Sequence, residues 1–262
     1  MNTKMFALSA LCAAVAVSAS AGIESDVVGY ASKDLNSSGN TAVGPCFQSI
    51  GSDGVRLTDI TIAGLAEGAT VNGTITIQIL DNVGNAAAKY SYFQNVKNGV
   101  NKGKTGWYDG STAITADNNV VFTAGQGLWV KGVSGAKLQS SGKVLFDDVV
   151  KTLPASGNTM LCNPYPQDIT LAKNVKVTGL AEGATVNGTI TIQILDNVGN
   201  AAAKYSYFQN VKNGVNKGKT GWYDGSTQIT EDADVTFELG QALWVKGVSG
   251  ATMTFTLGSE EE

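Results

Sequence analysis

The chain contains no histidine at all. That absence removes the Ser-His-Asp and Cys-His nucleophiles, the imidazole base and every histidine metal ligand. Charge is sparse as well, at 15% Asp, Glu, Lys and Arg, and 22 acidic against 18 basic residues give a formal net charge of −4. Such a balance argues against nucleic acid as a partner, because phosphate backbones are bound by clustered positive charge. Only three cysteines occur, Cys12, Cys46 and Cys162. Beyond the first residues no apolar run approaches the roughly 20 residues that span a bilayer, so no membrane span is expected.

What the chain does have begins at its start. Lys4 supplies a positive charge, residues 5–17 are mostly apolar, and Ala19-Ser20-Ala21 is a small-residue cleavage site. This is the pattern of a secretory signal peptide over residues 1–21, and it places the remainder outside the cytoplasm: secreted, extracellular or on the cell surface, with the periplasm as the other compartment. Leu11 stands before Cys12 where a lipoprotein signal has a small residue, so Cys12 is expected to leave with the signal.

The remainder is one unit written twice. Residues 64–112 are identical to residues 179–227, 49 positions at an offset of 115. Similarity continues from 114–136 to 229–251 at that offset, and Gly39-Asn40-Thr41 matches Gly157-Asn158-Thr159 at an offset of 118. The period is too long for solenoid or propeller repeats, which run to about 20–50 residues, and matches the size of a small domain. The expected organisation is residues 22–143 as module 1 and 144–262 as module 2, the latter ending in the short acidic tail Glu260-Glu261-Glu262.

Within a module, TITIQIL (74–80) places Ile75, Ile77 and Ile79 on one face and Thr74, Thr76 and Gln78 on the other, the signature of a half-buried strand. Asn72-Gly73 before it and Asp81-Asn82-Val83-Gly84-Asn85 after it are turn chemistry. KYSYFQ (89–94) reads as an aromatic strand, followed by a polar loop carrying Lys97, Lys102 and Lys104. Residues 27–35, 41–48, 120–122 and 126–131 read as further strands, and Ala86-Ala87-Ala88 is too short for a helix. With 32 glycines, well above the usual ~7% share, the composition suits many turns. The expected fold is all-β: two tandem β-sandwich-like domains of about seven strands each, after a cleaved signal peptide.

The second copy carries NTMLCNPYPQDITL (158–171) and LGQALWVKG (239–247). These motifs resemble a recurrent secreted bacterial β-module with an N-P-Y-P turn near its start and a G-Q-[GA]-[LF]-W-V strand near its end, a likeness that spans nearly all of residues 144–258. The resemblance assigns Asn163, Pro164, Tyr165 and Pro166 to the turn, and Gly240, Gln241, Leu243 and Trp244 to the strand. The first copy keeps Gly125, Gln126, Leu128 and Trp129 but reads Gly44-Pro45-Cys46-Phe47 at the turn. What the resemblance implies is fold and export, not a substrate.

GWYDGST, at 106–112 and again at 221–227, raises the main question about ligands. Trp107, Tyr108 and Asp109, with Trp222, Tyr223 and Asp224, could form two equivalent carbohydrate platforms, an aromatic ring stacking on a sugar while the polar groups bind its hydroxyls. Alternatively the tryptophans are core anchors and Asp-Gly makes the next turn. Trp129 and Trp244 lie in strands and are read as core or subunit packing. Asp81, Asn82 and Asn85 offer oxygen ligands, yet their spacing fits no EF-hand loop, and they are read as a hairpin turn with no metal. A glycosidase needs only two carboxylates. Asp109 and Asp224, however, sit in duplicated turns, so no catalytic or cofactor-binding residue is assigned. Cys46 and Cys162 could form a disulfide between the copies or remain two buried thiols, and they do not occupy equivalent positions. The functional expectation is a secreted, non-enzymatic structural or adhesive protein of a bacterial surface or matrix, partnered by itself through strand pairing. The alternative is a carbohydrate-binding module for surface glycans.

Overall fold

The structure, a computed structural model, describes residues 27–65, 75–180 and 190–257. The expected signal peptide, the acidic tail and the Asn72-Gly73 turn lie outside the described residues. The fold is all-β and every strand pairing is antiparallel. In the first repeat the strands are β1 (Val28–Asp34), β2 (Asn40–Val43), β3 (Gly54–Arg56), β4 (Ile60–Ala63), β5 (Thr76–Leu80), β6 (Ala86–Phe93), β7 (Gly106–Asp109), β8 (Thr112–Ala113), β9 (Val121–Thr123), β10 (Leu128–Lys131) and β11 (Lys137–Lys143). In the second they are β12 (Val149–Thr152), β13 (Asn158–Cys162), β14 (Ile169–Thr170), β15 (Val175–Thr178), β16 (Thr191–Leu195), β17 (Ala201–Phe208), β18 (Gly221–Asp224), β19 (Thr227–Gln228), β20 (Thr236–Phe237), β21 (Ala242–Lys246) and β22 (Thr252–Phe255).

Each repeat assembles the same three sheets from its own strands. The first has β1-β11-β4, β2-β10-β5-β6-β7-β8 and β3-β9; the second has β12-β22-β15, β13-β21-β16-β17-β18-β19 and β14-β20. Eleven strands per repeat among the described residues exceed the seven or so expected. The excess in the first repeat is β3, β4, β11 and the two-residue β8, too short to show alternation, while Ala86-Ala87-Ala88 open β6 and pair with Ile79 and Leu80 across a bulge.

The three- and six-stranded sheets of a repeat face each other across one apolar cluster. In the first repeat Ile60, Ile62 and Leu138 come from the small sheet, and Ile75, Ile77, Tyr90, Trp107, Leu128 and Val130 from the large one. The alternation of TITIQIL thus does what its period requires, with Ile75 and Ile77 fully buried. Thr76 and its twin Thr191, on the opposite face, are buried as well, and part of that outer face, at Leu80 and Trp129, is covered by a second layer. That layer is the other repeat.

Candidate functional site at the contact between the repeats

Three motifs present in both copies, Gly-Asn-Thr, Asp-Asn-Val-Gly-Asn and Gly-Gln, converge on this contact. The turn DNVGN is closed by the Asp81 carboxylate, whose Oδ1 accepts from the backbone N–H of Val83 at 3.0 Å and of Asn85 at 2.8 Å. Asp196 does the same with Val198 and Asn200. These donors, that of Asn85 or Asn200 foremost, hold both carboxyls below their ordinary pKa. The oxygen set that could have suggested a cation is therefore spent on shaping a hairpin.

So shaped, the turn presents one carbonyl to the other repeat. Asn158 N–H donates to the Asn82 carbonyl at 2.8 Å, and Asn40 N–H donates to the Asn197 carbonyl at 2.8 Å. Gly39 and Gly157 precede these donors at φ 77° and 78°. A Cβ on either would collide with the carbonyl it faces, so the tight approach and the left-handed backbone both demand glycine. Trp244 lies against Gly84 and Trp129 against Gly199, which closes the reciprocal pair. The Gly-Asn-Thr and Asp-Asn-Val-Gly-Asn motifs stand apart in the sequence with no local pattern to join them, because each meets its complement in the other copy.

Three more backbone bonds join the repeats: Gly44 N–H to Gly240 O at 2.8 Å, Cys162 N–H to Gly125 O at 2.8 Å, and Gly127 N–H to Met160 O at 2.9 Å. The G-Q turns before β10 and β21 thereby cover the outer edges of β13 and β2. Between them Trp129, Met160, Cys162 and Ala242 form a buried cluster, flanked by Ala42, Leu80, Leu195 and Trp244. At the rim Lys33 Nζ meets Glu238 at 2.5 Å, and its counterpart Lys151 Nζ donates to Thr123 Oγ1 at 2.9 Å. The reciprocity of these contacts describes an approximate twofold axis between the repeats. Trp129 and Trp244, read as core or subunit packing, line this joint.

The other candidate residues sit elsewhere. Trp107 and Trp222 are each only 3% exposed, and their Nε1–H groups donate to the carbonyls of Ile60 at 2.7 Å and Val175 at 3.1 Å. Each ring packs edge-on against a tyrosine, Tyr92 or Tyr207. Of the two readings of GWYDGST, the structure has the core anchor; the stacking ring a carbohydrate platform needs is not presented by either tryptophan, since pleat alternation turns both inward. Tyr108 and Tyr223 point the other way and pack against Phe93 and Phe208. Above them Lys104 and Lys219 lie 4.7–4.8 Å from the ring centroids, so one lysine of the polar loop is spent on aromatic faces. Asp109 and Asp224 are exposed beside the glycines of their turns.

Cys46 and Cys162 are both free and buried, so the disulfide between the copies is not formed. Burial pushes the Cys46 thiol up to about 12 and raises that of Cys162 as well. The N-P-Y-P turn is an interior fastener. Asn163 Nδ2 reaches the carbonyls of Gln167 at 2.7 Å, Glu238 at 3.2 Å and Phe237 at 3.3 Å, while its Oδ1 accepts from Tyr165 N–H at 3.0 Å. Among the described residues no group of three or more Asp, Glu or Cys is placed to hold a metal ion. No family model matches this chain, and no match was found among curated proteins or among solved structures.

Proposed function

We propose that this is an exported, non-enzymatic structural or adhesive protein of a bacterial cell surface or extracellular matrix, which associates with its own kind by strand pairing. The observation that carries the reading is the contrast between covered and uncovered sheet edges. β2 and β13 are sealed by the opposite repeat, whereas β1 and β12 each end the order of their sheets. Among the described residues no strand pairs with the outer edge of β1 or of β12; β1 carries Val28 at 60% and Tyr30 at 62% exposure, and β12 carries Val150 at 59%. An unpaired strand edge with apolar side chains is a template for another strand. The approximate twofold supplies one such edge per repeat, so one chain can join two neighbours. The resemblance of residues 144–258 to exported β-modules and the signal-like start agree with this reading.

The test is size-exclusion chromatography with light scattering and negative-stain microscopy of residues 22–262. Deleting residues 22–35 would remove a strand that pairs with β11 along seven residues, so Val28→Lys/Tyr30→Lys is the cleaner comparison. Concentration-dependent oligomers or filaments are expected, and the lysine variant should abolish them while melting at an unchanged temperature. Monodisperse monomer in both proteins would rule out self-assembly.

A further inference from the structure

We infer that the contact between the repeats is selective, fitting a first repeat to a second and neither to its own kind. This rests on side-chain volumes at the joint and is independent of the assembly reading. The reciprocal bonds of Gly44 to Gly240 and of Cys162 to Gly125 place residues 44 and 162 at equivalent positions. They face each other across the axis. A Cβ on residue 44 would lie 2.5 Å from the Cys162 Cβ and would overlap its Sγ. Cys162 therefore occupies the room that Gly44 leaves, and only one of the two positions can carry a side chain.

A second asymmetry has the same sense. Met160 of β13 packs over Gly127, and a Cβ there would come 2.5 Å from Met160 Cγ. The equivalent places on the other side of the axis hold two methyl groups, Ala42 and Ala242. The second repeat thus brings the larger residues on its strand, Met160 and Cys162, and the first brings the smaller, Ala42 and Gly44. Two second-repeat faces would force two cysteine side chains into one volume; two first-repeat faces would leave a void where Sγ now sits. Unlike repeats meet neither penalty, which is specificity by steric exclusion. A chain that exchanged repeats with a neighbour through this face would have to obey the same rule, first repeat onto second.

The experiment is thermal unfolding of the full chain in reductant, comparing wild type, Gly44→Cys, Cys162→Gly and the exchange Gly44→Cys/Cys162→Gly. Each single change should lower the melting temperature by several degrees. The exchanged chain, which carries both changes but restores one large and one small partner, should melt above the Gly44→Cys chain. Losses that simply add, leaving the exchanged chain below both singles, would overturn the inference. Should Gly44→Cys not fold, Gly44→Ala serves in its place. Adding Cys162→Gly should then recover most of the loss, with the Gln126 carbonyl 3.0 Å from the new methyl limiting the rest, and a further drop on adding it would equally overturn the proposal.

Discussion

In the second repeat the corner after β13 is fastened by Asn163, whose amide reaches three carbonyls, and by Tyr165, whose hydroxyl donates to the Phe255 carbonyl at 2.7 Å with that of Asp147 at 3.0 Å. The first repeat has Pro45 and Phe47 at those places and offers neither donor. There the Phe47 ring presses on Gly29, and Gly142 faces the Gln48 carbonyl, so a Cβ at either glycine would collide. The neighbouring small-sheet residues differ in step, with Ala31 and Ser140 standing where the second repeat has Val149 and Phe255. The same architecture is thus filled by two sets of side chains. Interiors accept such exchanges when total volume and apolar pattern are kept. By contrast, the invariant block 64–112 and 179–227 supplies β5 to β7, β16 to β18 and both docking turns, whose backbone contacts leave less freedom.

The comparison is broken most severely at the element the repeats share. Trp107→Ala and Trp222→Ala should each cost about 3–5 kcal/mol by urea unfolding, with closely similar values, because both rings are buried and bonded alike. A variant that keeps wild-type stability would show that its ring is no anchor. Next comes the corner that differs. Asn163→Ala leaves up to three carbonyls and the Tyr165 N–H without their partner and should cost about 2–3 kcal/mol, whereas Pro45→Ala in the first repeat should cost about 1 kcal/mol or less. Equal losses would mean that the two corners are held in the same way.

Alkaline pH sharpens the same contrast. Burial foremost, with the Asp148 charge second, pushes the Tyr165 hydroxyl up to about 12 from an ordinary 10. A raised folded-state pKa stabilises fully below pH 10 and is lost as pH climbs from 10 through 12. Between pH 9 and 11.5 the wild type should therefore lose more stability than Tyr165→Phe, a difference on the order of 1–2 kcal/mol. Tyr90, Tyr92, Tyr205 and Tyr207 are also raised, so both proteins should still weaken. The smallest effect has the opposite sign. The Oγ1 atoms of Thr76 and Thr191 are buried with no hydrogen-bond partner. Thr76→Val and Thr191→Val should each stabilise by about 0.5–1 kcal/mol in thermal melts, equally in the two repeats. Destabilisation by either would indicate a bonded hydroxyl.

Much of the fold was legible because strands announce themselves locally. The alternation of Ile75 and Ile77 and the Asp-Gly turns follow from a two-residue period and from backbone angles that few residues tolerate. The duplication was legible from identity alone. The burial of Trp107 was not, since an aromatic residue on a strand suits either face until the opposing sheet is known. Nor was the use of Lys104 over Phe93 and Tyr108, which a loop of alternating polar residues does not disclose.

By itself the sequence determined a strand-built chain, its division into two like units, and the turn chemistry at Asp81 and Asp196, all properties that depend on neighbours a few residues apart. Tertiary structure alone decided that Gly39-Asn40 docks on Asn197 and Gly157-Asn158 on Asn82, that Cys162 sits over Gly44, and which strand edges the other repeat covers. These depend on how two sheets approach across an axis, a geometry set by the summed shape of many side chains and written in no short stretch of either repeat.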